Sequence, residues 1–163
     1  MPLEIRRNVR GIAHDTDVAR ITLTRVPDRP GIAAAIFQPL ADASISVDTI
    51  AQSSGADGMT DLSFTLSRTS LDRAAELVRS IAPRIGAEGL DSADDLAKVS
   101  IVGTGMQSAP GYAARMFSTL ADNSINIEII STSDIRITCV IPRDRVDDAV
   151  RTLHAAFELD REE

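Results

Sequence analysis

The 163-residue sequence has no tryptophan, one tyrosine, four phenylalanines and a single cysteine. With aromatics at 3%, its core has to be assembled from Ile, Val, Leu and Ala with a few Phe. Cys139 alone forms no intramolecular disulfide, which makes a reducing, cytoplasmic setting the default expectation. It stands inside an apolar strand pattern and reads as a buried, inert thiol rather than a reactive one. Positive charge is scarce too: 17 Lys and Arg against 24 Asp and Glu leave a net charge of −7. No basic stripe is present to meet phosphates, so a nucleic-acid partner is not expected. No apolar run approaches the length that spans a bilayer, and the Met1 to Arg7 segment has no secretory core.

Catalytic signatures are missing as well. The two histidines, His14 and His154, are far apart, and no Cys/His cluster has zinc spacing. Gly103-Thr104-Gly105 lacks the third glycine of a dinucleotide fingerprint, and neither a Gly-x-x-x-x-Gly-Lys loop nor a Gly-x-Ser-x-Gly elbow occurs. His154 borders the apolar stripe of the last helix and reads as a structural histidine; Tyr112 reads as a packing or interface residue. No catalytic residue, metal or cofactor is therefore assigned.

What the chain does contain is a duplication. Pro110 to Thr132 laid under Pro30 to Gln52 matches at roughly half the positions without a gap, the mark of an internal repeat. In the first copy, strands are expected at Asn8 to Ala13 and Ala19 to Val26, separated by polar His14-Asp15-Thr16-Asp17. A rigid loop, Pro27-Asp28-Arg29-Pro30-Gly31, precedes a helix with Ile32, Ala33, Ile36, Phe37 and Leu40 on one face. Pro39 predicts a kink or an early end. Ile45 to Ser53 and Thr60 to Ser67 form a hairpin around Ser54 to Gly58, with Leu62, Phe64 and Leu66 inward and Asp61, Ser63 and Thr65 outward. A second helix carries Leu71, Ala74, Ala75, Val78 and Ile81, capped at Thr69 or Ser70 and stopped by Pro83. Gly86 to Leu90 supplies a short edge strand and Asp91 to Asp95 a polar linker.

The second copy repeats this order. Lys98 to Gly103 is its strand, and Ala113, Met116, Phe117, Leu120 and Ala121 mark its helix. Asn126 to Ser131 and Asp134 to Ile141 are its hairpin, with Ile135, Ile137, Cys139 and Ile141 on one face. Val146, Ala149, Val150, Leu153 and Phe157 mark the last helix. The fold class is α+β: two tandem ferredoxin-like βαββαβ modules, antiparallel sheets with helices on one face. The modules are set at residues 15–96 and 97–160. The second lacks a closing strand, a place that residues 8–14 can fill.

Such a module offers a grip for a small zwitterion. The amides of Gly31, Ile32 and Ala33 at a helix N-terminus suit a carboxylate, and Asp28 or Asp48 suits an ammonium group. Gln52 and Asn126 both donate and accept, as a hydroxyl or amine requires. Each also has a plainer reading: Pro30-Gly31 as an ordinary helix start, Asp28 as its cap, Gln52 as a solvated edge residue.

Asp28-Arg29-Pro30-Gly31, followed by Ile45-Ser46-Val47-Asp48, resembles the ligand loop and next strand of ACT domains, small βαββαβ modules that bind amino acids and regulate metabolic enzymes. Lys98 to Met106 and Ile125 to Ile137 are similar to the C-terminal ACT module of aspartate kinase, and Val9 to Ala13 to the strand preceding its paired modules. The resemblance covers Val9 to Leu159. It implies a regulatory subunit or region without the kinase's catalytic domain, partnered by the catalytic subunit and dimeric through its ACT modules. It implies feedback inhibition of aspartate-family biosynthesis by threonine, often in concert with lysine. The threonine site carried over comprises Asp28, Arg29, Pro30, Gly31, Ile32, Ala33, Ser46, Val47, Asp48 and Gln52 from the first module. Asn126, Ile127 and Ser133 come from the second. Ser46 departs from the family's frequent asparagine, and Ser108-Ala109-Pro110-Gly111 lacks the aspartate, so one threonine site per chain is expected rather than two. Two rivals remain at this point: a regulatory subunit of another pathway, such as the valine-sensing subunit of acetolactate synthase, and a small ferredoxin-like enzyme active at a dimer seam.

Overall fold

Strand β1 runs without a break from Val9 to Pro27. The expected pair of strands, Asn8 to Ala13 and Ala19 to Val26, is thus one. His14-Asp15-Thr16-Asp17 contains neither Gly nor Pro, and its side chains are exposed while the backbone stays extended. This computed structural model describes residues 9–106 and 111–159. The segment Met1 to Arg7, Asn8, and Ser108, Ala109 and Pro110 of the second loop lie outside them.

After β1 come α1 (Ile32–Asp42), β2 (Ile50–Ser54), β3 (Met59–Leu66), α2 (Leu71–Ile85), β4 (Gly89–Gly103), α3 (Tyr112–Asp122), β5 (Ile129–Thr132), β6 (Arg136–Pro142) and α4 (Val146–Ala156). The chain divides into two compact units. One is Asp17–Asp94; the other joins the chain up to Thr16 with the chain from Asp95 onward. β1 and β4 each give one stretch to each unit. The Asp91 to Asp95 segment read as a linker is therefore strand, its polar side chains again mostly solvent-facing.

In the Asp17–Asp94 unit the strand order is β2-β3-β1-β4. β3 is antiparallel to both β1 and β2, with Ile21 opposite Phe64 and Gln52 opposite Leu62. Ile21, Leu23, Leu62, Phe64 and Leu66 turn one face toward α1 and α2, where Ile32, Ile36, Leu40, Val78 and Ile85 meet them. Each such side chain taken out of water stabilises the unit by about 1.5–3 kcal/mol. Phe37 packs edge-on against Phe64, centroids 5.3 Å apart at 75°. Thr65, expected to face outward, is fully buried, and its hydroxyl accepts the Thr49 amide at 3.0 Å.

Pro39, expected within its helix with a kink or an early end, and Pro83, expected to stop the next one, both lie inside their helices. Pro39 lies within α1 and Pro83 within α2, each near the C-terminal end, where few i→i−4 bonds are at stake. α1 ends instead at Ser44, whose φ of 59° turns the chain so that the Ile45 amide reaches the Leu40 carbonyl at 2.9 Å. α2 ends at left-handed Gly86. Its N-terminus is not capped by Ser70; a single turn, Arg68–Ser70, precedes it, with Ser67 as the cap.

The other unit repeats the architecture in the order β1-β4-β6-β5. Val99 opposes Cys139 and Ile101 opposes Ile137 in the antiparallel β4–β6 pair. Its core gathers Val9, Val99, Ile101, Tyr112, Met116, Leu120, Cys139, Leu153 and Phe157. Tyr112 is a core residue. Ile135, expected to face inward, lies in the turn before β6 and is 52% exposed. α3 ends as α1 does: Ser124 has a φ of 57°, and the Ile125 amide meets the Leu120 carbonyl at 2.9 Å.

Candidate functional site

The loop between β1 and α1 is held at both ends. The Asp28 amide donates to the Gly58 carbonyl in the β2–β3 turn at 2.9 Å, and the Ile32 amide turns back to the Arg29 carbonyl at 3.2 Å. The helix begins after Gly31, whose φ of 89° is left-handed. No side chain caps this end, so the reading of Asp28 as a cap does not hold. The first intrahelical bond runs from Ala35 to the Gly31 carbonyl at 3.0 Å. Among the described residues no acceptor meets the amides of Ala33 and Ala34. The expected donor set is thus amended: Ile32 is turned into the loop and its side chain buried, while Ala33 stays available. A methyl group placed on Gly31 would meet nothing within 4 Å, so the space over this helix end is open. Asp28, Arg29, Pro30 and Gly31 are all solvent-exposed. An anion can therefore approach bare amides at the positive end of a helix dipole, with a carboxylate three residues away.

Ser46, Val47 and Asp48 follow the turn at the end of α1 and precede β2, which starts at Ile50 rather than Ile45. The segment nonetheless runs along β3: the Asp48 amide donates to the Thr65 carbonyl at 2.9 Å. Ser46 and Asp48 face solvent, Val47 packs on the core, and Gln52 is exposed on β2. All ten first-module candidates thus belong to the Asp17–Asp94 unit.

Asn126, Ile127 and Ser133 belong to the other unit. Asn126 is exposed and Ile127 packs on that core. The Glu128 amide meets the Val140 carbonyl at 2.8 Å, repeating the Asp48 bond. β5 begins only at Ile129, so Asn126, like Ser46, lies on the approach to a strand. Ser133 shapes the β5–β6 turn: its amide donates to the Arg136 carbonyl at 2.8 Å, and its hydroxyl accepts the Ile135 amide at 3.4 Å. Gly111 repeats Gly31, with a φ of 110° and open space at its missing Cβ. Among the described residues no three His, Cys, Asp or Glu side chains converge as metal ligands. The Cys139 thiol is pushed up to about 12 by burial, which suppresses its thiolate.

One neighbouring feature escaped the sequence reading. Beside the Asp28 loop, Thr24, Arg25, Ser53 to Asp57 and Met59 to Asp61 line a cleft of about 560 Å³. Arg25 pairs there with Asp57 and Glu88, both at 2.8 Å. The Asp57 hydrogen bond, then the Glu88 charge, raises the guanidinium's pKa, while the Arg25 and Met59 hydrogen bonds hold the Asp57 carboxyl below its usual range. Nothing in the local pattern announced this cluster, because Arg25 reads as an ordinary alternating strand residue.

Two βαββαβ units, each opening its first helix at a left-handed glycine, define the class: family profiles described as ACT domain match residues 20–83 and 99–157. The aspartate kinase of Pseudomonas fluorescens is 46% identical over 152 residues, which are 93% of this chain and 37% of that relative. The regulatory subunit of aspartate kinase from Thermus thermophilus, solved in ligand-free form, superposes with a TM-score of 0.88 at 40% identity, covering 93% of this chain and 99% of that one. A chain of a crystal structure of aspartokinase alpha and beta subunits gives 0.87 at 44%, with 92% and 99% covered. The chain belongs to the aspartate kinase family as its regulatory ACT-domain part, and these 163 residues include no catalytic domain. They span 37% of the length of the curated relatives that head the comparison.

Proposed function

We propose that this chain is the feedback sensor of an aspartate kinase, binding threonine, with lysine as a further candidate effector. The observation that carries the reading is the start of α1: Gly31 is left-handed, uncapped by any side chain and open above, beside the exposed Asp28. The effector's carboxylate would take the Ala33 and Ala34 amides, and Asp28 its ammonium group. Ser46, Asp48 and Gln52 of the same unit would supply the remaining polar contacts. The ACT domains would comprise residues 15–96 and 97–160, with 8–14 added to the second.

Regulation then follows from linkage. Threonine would favour one dimeric arrangement of the ACT domains by no more than its affinity difference between arrangements, and so bias a catalytic partner toward an inactive form in the cytoplasm. The neighbour described as aspartokinase alpha and beta subunits supports such a partner. The gain in control over the first step of lysine, threonine and methionine synthesis would be a coupling of about 1–3 kcal/mol.

Calorimetry on the 163-residue chain tests this. Threonine should bind, and at about a hundredfold over its Kd should stabilise the fold by about 2.7 kcal/mol. No heat at millimolar threonine together with unchanged unfolding counts against the site. A panel including valine separates this reading from that of an acetolactate synthase subunit.

A further inference from the structure

Arg25 is the one described residue inside a strand with a positive φ that is not glycine, at 52°. It sits where the β1–β3 register steps from Leu23↔Leu62 to Val26↔Thr60, so that Thr24 and Arg25 together face Asp61. A branched-off backbone of this kind is strained for an arginine and persists only where the surroundings over-determine it. The surroundings here are three carboxylates. The Arg25 amide donates to Asp61 Oδ1, its Nε to Glu88 Oε2 and its Nη1 to Asp57 Oδ2, each at 2.8 Å.

The partners matter because of what they hold. Asp57 also accepts the Met59 amide through Oδ1 at 3.2 Å. Gly58, between those two residues, offers the carbonyl that receives the Asp28 amide. Only Val26 and Pro27 separate Arg25 from Asp28 along the chain. A closed circuit results: Arg25 to Asp57 by side chains, Asp57 to Gly58 by the chain, Gly58 to Asp28 by a hydrogen bond, Asp28 back to Arg25 by the chain. All three side chains of the ion-paired cluster are about half exposed, and exposed pairs contribute little to global stability. Strain held by weakly stabilising contacts beside a candidate site points to placement of the loop rather than to support of the fold.

We infer that Arg25 is a positioning residue for the effector loop, clasping the Ser54–Gly58 turn so that Gly58 sets the height of Asp28 above the start of α1. The inference rests on the effector reading above, and the two fail separately.

The experiment titrates threonine into the wild-type chain and the R25G, R25K and D57N variants, at low and high salt. Glycine tolerates the left-handed backbone, so R25G keeps the bulge while deleting the clasp. R25G and D57N should each weaken threonine binding by roughly two- to fivefold at low salt with no fall in melting temperature, and R25G/D57N together should be no weaker than either alone. R25K should recover part of the loss. High salt should weaken binding to wild type more than to R25G and so narrow the gap between them. Wild-type affinity in R25G, or an affinity loss that tracks a fall in melting temperature, overturns the positioning role. Failure of the wild-type chain to bind threonine at all defeats instead the effector reading.

Discussion

Asp17 of β1 reaches across to Arg68, accepting its backbone amide at 2.9 Å through Oδ1 while Oδ2 takes the Ser67 hydroxyl at 2.7 Å. A carboxylate fifty-one residues away thus steadies the turn that opens α2. The Ser67 bond first, and the Arg68 amide second, hold the Asp17 carboxyl below its usual value of 3.8. With a folded pKa below the unfolded one, the stabilisation is full above the unfolded value and is lost as pH falls through the folded one. The stability difference between wild type and Asp17→Asn, from urea titrations, should stay level between about pH 6 and 8 and shrink below about pH 4. A difference that stays level down to the acid transition would remove Asp17 from the account.

Replacing Gly31 separates backbone strain from ligand binding. Its added methyl meets no atom, so Gly31→Ala carries only the left-handed penalty of about 1–2 kcal/mol. Gly111→Ala should cost the same for the same reason. Only the Gly31 variant should lose threonine affinity, because the second loop lacks the aspartate. Equal affinity losses in both would show two working sites.

Asp28→Ala should leave the melting temperature nearly unchanged, since its carboxylate has no side-chain partner among the described residues. It should weaken threonine binding by about 1.5–3 kcal/mol, the worth of a charged hydrogen bond. Calorimetry reads both quantities on one sample.

Ser44 and Ser124 end α1 and α3 in a conformation that glycine adopts without strain. Ser44→Gly and Ser124→Gly should each raise stability by about 0.5–1 kcal/mol in denaturant titrations, and the two gains should add. A loss in either would mean that the serine side chain contributes more than its backbone strain removes.

The Cys139 thiol, fully buried with its pKa near about 12, should resist a disulfide reagent at neutral pH while the protein is folded. Its modification rate should follow the unfolding rate as urea is raised. Rapid labelling of the native chain would contradict the burial.

The periodicity of Ile32, Ile36 and Leu40, of Met116 and Leu120, and of Leu62, Phe64 and Leu66 was enough to place helices, hairpin strands and two cores. Burial against a neighbouring layer imposes the same spacing whatever lies beyond it. The loop at Asp28 to Gly31 was equally legible, because proline and glycine restrict backbone angles locally. Turn-like composition misled in two places. Asp15 to Asp17 and Asp91 to Asp95 are strand, because a strand's backbone bonds go to its neighbour while polar side chains remain in water.

The amino-acid order by itself settled that one small α+β module occurs twice and that each copy opens its first helix at a glycine. Those properties depend on the nearest few residues. The Asp17–Arg68 bond, the Gly58 carbonyl that holds Asp28, the left-handed bulge at Arg25 and the persistence of α1 and α2 through proline were decided only in three dimensions. Each depends on partners dozens of residues apart or on packing that outweighs a local preference, and no short window of sequence contains both sides of such a balance.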